Sequence, residues 1–231
     1  FRLDTHVDET VTYQPHLPVY LFVDPGTKAY AVLFVQFVGH EVWVVDMVYV
    51  QGYSHDQVVR ECFARRAWSG VRVGGKHVID VGAKQRHMGL GTSLDAWYRS
   101  TGISFTCAKW FVDEQVNKIR SFMELNPKTQ RPYLLINPSC AGLIAEMGGG
   151  KNPIPGQGRW TLIHGVPDGS QRASNDACHA LAYGLLAHFG SNKPSTERPD
   201  SGVASYLGPA DSRRFIGGPG AYKRRINIPQ E

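Results

Sequence analysis

Apolar residues first gather at positions 19–24, after a polar opening that carries Pro15 and Pro18 and reads as an entry linker over residues 1–18. Pro25 and Gly26 end that run. Residues 29–38 and 42–50 follow as two β-branched and aromatic runs joined at Gly39, His40 and Glu41, so the pattern predicts one strand and then a hairpin. Ser54, with Gln57 three places on, is a capping-box signature, and Val58, Val59, Cys62 and Phe63 continue it as a helix closed by Gly70. Shorter runs then alternate. They predict a strand at 77–80, a Gly-rich basic loop at 82–91, a helix at 94–100, a strand at 103–109 and a helix over about 113–125. A strand at 133–137, a helical stretch at 139–147, a Gly/Pro loop at 148–158 and a strand-like run at 160–164 complete the series.

A final helix is predicted to open at Ser174. In it Ala177, Ala180, Leu181, Gly184, Leu185 and His188 recur at three- and four-residue steps, a buried stripe whose small residues suit close packing on a sheet. Beyond it, residues 191–231 turn to Gly, Pro and basic side chains without a period and read as a tail. Three antiparallel strands, a helix, and then strands alternating with helices predict a mixed α/β sheet over residues 19–190 with helices on both faces.

Composition adds limits. The chain has 231 residues, 42% hydrophobic and 19% charged, which supports a packed core and excludes wholesale disorder. Its formal net charge of +5 suits a polyanionic partner without naming one. Cys62, Cys107, Cys140 and Cys178 stand far apart, with no zinc-ligand spacing, and are expected to be reduced thiols. No apolar stretch approaches the roughly 20 residues that span a bilayer, so a soluble intracellular protein without membrane contact is expected. The start at Phe1 reads as a fragment of something longer.

Candidate chemistry lies in three acids at predicted element ends: Asp24 leaving the first strand, Asp80 leaving the fourth, and Asp176 in the first turn of the last helix. Each interrupts an apolar pattern, where an unpaired carboxylate is costly. Two like charges about 4 Å apart repel by about 4 kcal/mol at an effective dielectric near 20, so such a cluster persists chiefly as a cation site. All-oxygen donors favour magnesium or manganese, and two such ions suit phosphodiester hydrolysis. Asp46, inside the run Val44-Val45-Asp46-Met47-Val48, is a candidate fourth acid or a solvent-facing strand residue.

The runs Tyr20-Leu21-Phe22-Val23-Asp24-Pro25-Gly26, His77-Val78-Ile79-Asp80 and Asn175-Asp176-Ala177-Cys178-His179-Ala180-Leu181-Ala182-Tyr183 resemble the nuclease domain of the large terminase subunit of tailed bacteriophages, in the RNase H-like superfamily. That resemblance implies an RNase H-like sheet and a two-metal endonuclease that cuts concatemeric double-stranded DNA. Asp24, Asp80 and Asp176 would be its metal ligands and two Mg2+ or Mn2+ ions its cofactors. His179, one turn beyond Asp176, would assist a metal-bound water or steady a phosphate. It also implies portal protein and small terminase subunit as partners, the cytoplasm of an infected bacterium as the place of action, and an ATPase motor that this chain lacks, since no GxxxxGK[ST] occurs. Lys84, Arg86 and His87 just past Asp80, and Lys151 and Arg159 about the Gly/Pro loop, are candidate DNA-backbone contacts. The tail cluster Lys223, Arg224 and Arg225 would grip DNA or dock the portal.

Other readings stand beside this one. Asp24-Pro25-Gly26-Thr27 and its hairpin also resemble the phosphate loop of actin-like ATPases and sugar kinases. Junction resolvases and transposases share the acids. A packaging-motor docking module, inactive in isolation, would bind metal and leave free DNA uncut.

Overall fold

The computed structural model describes residues 1–26, 29–84, 92–108, 110–155, 162–163, 166–167 and 175–190. The short helix α1 (Leu3–His6) leads to β1 (Tyr20–Pro25), β2 (Tyr30–Val38) and β3 (Glu41–Val50). Next come α2 (His55–Phe63), β4 (His77–Asp80), α3 (Ser93–Thr101), β5 (Phe105–Ala108), α4 (Val112–Met123), β6 (Leu134–Ile136) and α5 (Ala141–Glu146). A two-stranded ribbon of β7 (Leu162–Ile163) and β8 (Val166–Pro167) precedes α6 (Asp176–Phe189). The capping box of α2 forms as its sequence predicts, Ser54 accepting from the Gln57 N–H. The Gly82–Gly91 loop beyond residue 84, the opening of the last helix at Ser174 and the tail lie outside the described residues.

Six strands make one sheet in the order β5-β4-β1-β2-β3-β6. β1, β2 and β3 pair antiparallel, and β4, β5 and β6 join them in parallel. This is the antiparallel-then-parallel α/β sheet expected from the element order. Side chains alternate between two faces. Phe22, Leu33 and Val35 pack under Leu181 and Leu185 of α6 and Ile119 and Phe122 of α4. Leu21, Val23, Val32 and Phe34 pack against Val58 and Val59 of α2 and Trp97 of α3. The small residues of α6 bring it close to β1: a Cβ on Gly184 would enter the ring of Phe22, which is fully buried.

Residues 1–18 do more than lead in. Val11 is fully buried, and Val7 forms a bridge to Ile136 at the β6 edge. The side chain of Gln36, itself fully buried, accepts from the Gln14 N–H and donates to the Gln14 and Leu17 carbonyls. A buried amide without those partners would be costly, so Gln36 fastens the segment to the sheet.

At the far end of α6, His188 lies between Tyr20 and Phe37, ring centroids 4.9 and 5.0 Å away, with Nε2 donating to the Lys76 carbonyl at 2.8 Å. Burial, with lesser contributions from the Lys76 and His77 charges, pushes its pKa down to about 4 from 6.5. The unfolded chain therefore binds this proton first, and stability held above pH 6.5 is lost as pH falls towards 4. The loss reaches up to about 3 kcal/mol at 1.36 kcal/mol per unit. Urea unfolding from pH 7 to 4 should show it as a slope that His188→Leu flattens; identical slopes would remove the assignment.

Candidate metal-dependent active site

The register places the acids. β1 and β4 pair Phe22 with Val78 and Val23 with Ile79, so Asp24 and Asp80, the next residue of each, stand level at the carboxyl edge of neighbouring parallel strands. Both share a face with Phe22 and Val78, the face that α6 covers. Asp176 is the first residue of α6, and its Oδ2 accepts the Ala29 N–H at 2.9 Å, across the turn from Asp24. Gly26 makes room for this: a Cβ there would run into the Asp176 carboxyl group and stand 2.6 Å from the Ala29 carbonyl. The folded chain thus gathers three aspartates that are distant in sequence.

Their electrostatics agree with that placement. Asp24 is 8% exposed, and its pKa is raised well above 3.8, first by burial and then by the charges of Asp176, Asp80 and Glu146. Asp80 accepts the N–H of Gly82 in the turn that follows it. His179 Nδ1 is 3.7 Å from Asp24 Oδ2, and Asn175 Nδ2 lies 3.2 Å from its Nε2. With Asn175 as donor, the ring proton sits on Nδ1 and faces Asp24. Burial lowers the His179 pKa, against an upward pull from Asp80, so the ring is neutral near pH 7. Tyr183, one further turn along α6, has its hydroxyl pKa raised by burial and by the Asp80 charge. Among the described residues no group of three or more His, Cys, Asp or Glu side chains is arranged to hold a metal ion. One oxygen of Asp80 and one of Asp176 accept backbone N–H groups, from Gly82 and Ala29.

Of the proposed DNA contacts, Lys84 is exposed at the end of the turn after Asp80, and Lys151 is exposed beside Asn152. Asn152 donates to the Tyr49 hydroxyl at 3.2 Å. Tyr49 pairs with Ala31, and Ala31 with Asp24, so Asn152, the residue after Lys151, meets a side chain from the Asp24 row of the sheet. Arg86, His87 and Arg159 lie outside the described residues. Asp46 does not join the acids. It faces the α2 side, opposite Phe34, with Oδ1 3.5 Å from Arg65 and accepting the Met47 N–H. All four cysteines are free thiols.

Sequence reasoning passed over Glu146 and Tyr49. Glu146 is fully buried, with Oε1 accepting from the Tyr49 hydroxyl at 2.9 Å and Oε2 from the Cys178 N–H at 2.8 Å. A lone acid closing the apolar run Ala141-Gly142-Leu143-Ile144-Ala145 was the available signal.

No protein-family profile and no curated protein matches the sequence. Solved structures do. One crystal form of the large terminase from a thermophilic bacteriophage overlays with a TM-score of 0.57 at 15% identity, and a second crystal form with 0.55 at 16%. The chain has the fold found in a phage large terminase. Each overlay covers 80% of this chain and 42% or 43% of that large terminase, so the chain spans less than half of its length. The nuclease domain of the Thermus phage P74-26 large terminase overlays more loosely, with a TM-score of 0.49 at 14% identity, covering 80% of this chain and 86% of that one. Among the described residues no helix is long and apolar enough to cross a membrane.

Proposed function

We propose that this terminase-fold chain is a metal-dependent DNA endonuclease of viral genome packaging, acting on concatemeric double-stranded DNA by two-metal hydrolysis. One observation carries the reading: Asp24 and Asp80 stand level on adjacent parallel strands while α6 brings Asp176 over the same edge. The carboxyl edge of an open α/β sheet is where such folds take their ligands. The donor set is all oxygen, which fits Mg2+ or Mn2+.

Asp24, Asp80 and Asp176 would hold the ions, which when bound lower the pKa of water and stabilise the leaving oxygen of the phosphodiester. The rest falls to the chain. Burial at Asp24 excludes bulk water from one side of the site. His179, neutral and with Nδ1 3.7 Å from Asp24, would assist a metal-bound water or steady a phosphate. Lys84 and Lys151 would contact phosphates on either side of the acids, with Arg86, His87 and Arg159 extending that contact. Backbone contacts of this kind carry no base information, so cutting should show weak sequence preference. The portal protein and the small terminase subunit would be its partners, and an ATPase motor would work with it, inside the infected bacterium.

The test is plasmid cutting in Mg2+ or Mn2+, with and without EDTA, by the 231-residue chain and by Asp24→Ala, Asp80→Ala and Asp176→Ala. EDTA and each substitution should abolish cutting. Equal cutting by all three variants would remove the site, and Mn2+ binding with intact plasmid would instead favour the docking module.

A further inference from the structure

Glu146 ends α5, a helix that faces α6, and has no solvent exposure. A carboxylate so placed costs several kcal/mol unless its oxygens are met, and both are. Its Oε2 takes the N–H of Cys178, the third residue of α6. That N–H is one which an N-cap side chain ordinarily accepts. Asn175, at the N-cap position itself, makes no such side-chain bond. The cap of α6 is therefore supplied from another helix, with a negative charge at the positive end of the helix dipole.

The other oxygen leads back to the sheet. Tyr49, which donates to Glu146 Oε1, sits in the same row as Ala31 and Asp24, with its ring against Gly142, where a Cβ would collide with it. Its hydroxyl also accepts from Asn152. The chain of contacts runs from β3 through Glu146 to the first turn of α6, two residues from Asp176.

We infer that Glu146 is a positioning residue for the divalent-ion site: by binding the Cys178 N–H and the Tyr49 hydroxyl together, it fixes where α6 presents Asp176. The inference rests on the reading of Asp24, Asp80 and Asp176 as cation ligands. Outer-shell partners of this kind are worth about 10–100-fold in metal affinity.

Titrating Mn2+ calorimetrically into the 231-residue chain, with the Mn2+-induced rise in melting temperature as second readout, tests it. Glu146→Ala should bind Mn2+ at least about 10-fold more weakly. Glu146→Gln keeps an acceptor for the Cys178 N–H and should stay within about threefold of the parent chain, a rescue that general destabilisation would not give. If Glu146→Ala does not fold, Tyr49→Phe replaces it, removing one of the two bonds at nearly constant volume, with an expected loss of about threefold. Parent-like affinity in Glu146→Ala or in Tyr49→Phe overturns the inference, as does a Glu146→Gln variant as weak as Glu146→Ala. Asp24→Asn is the control. If it binds Mn2+ as well as the parent, or the parent binds none, the cation reading itself has failed, whatever Glu146 does.

Discussion

Asp24→Asn is expected to reduce plasmid cutting by more than about 100-fold, beyond the loss typical of outer-shell partners, and to raise the melting temperature of the metal-free chain. The two effects share one cause. Asp24 is nearly buried and faces the charges of Asp176, Asp80 and Glu146, so folding without cations holds a carboxylate where its charge is disfavoured. Its folded pKa lies above the ordinary 3.8, so the native chain keeps the proton to higher pH than the unfolded chain does. Stability from this group is full below the unfolded value and is lost as pH rises through the window up to the folded value. Asparagine carries no charge and escapes the loss. A gain on the order of 1 kcal/mol at pH 7 corresponds to about 2–4 °C for a chain of this size. Thermal melts in EDTA, repeated with Mn2+, check both halves: the parent should gain from Mn2+ and the variant should not. Asp24→Asn with full cutting, or with a lower melting temperature in EDTA, would contradict this account of the site.

Gly26→Ala is expected to reduce cutting about 100-fold while leaving every ionisable group in the chain. The added methyl would meet the Asp176 carboxyl group and the Ala29 carbonyl, 2.6 Å away. The carbonyl is backbone and cannot turn aside, so Asp176 must move. Displacements of about 1 Å in a positioned group cost on the order of 100-fold in rate. Mn2+ affinity should fall with the rate, because the displaced group is a proposed ligand. Cutting at the parent rate would show that Asp176 need not lie against this turn.

Asp24 and Asp80 were legible because each ends an apolar run, and parallel pairing of two such strands leaves their last side chains on one edge. The stripe on α6 was legible through its period, and it packs on β1 as small residues allow. Asp46 was not, because alternation alone misplaces it. Counting by twos from Val44 puts Asp46 on the α6 face, yet the register shifts between Phe34 and Val35, and this bulge turns Asp46 to the face of α2. Glu146 was out of reach for another reason: its partners Tyr49 and Cys178 are 97 and 32 positions away, and no local pattern encodes such a meeting. The polar segment 1–18 looked detachable since its anchor, Gln36, belongs to β2.

Helix α6 joins two chemically unlike places. Its first residue is Asp176, and His188 stands one residue before its end, so a single rod of 14 residues, about 21 Å long, runs from the acids to the aromatic cage. A stiff rod cannot tilt at one tip alone. Protonation of His188 in the cage therefore acts on the same helix that carries Asp176.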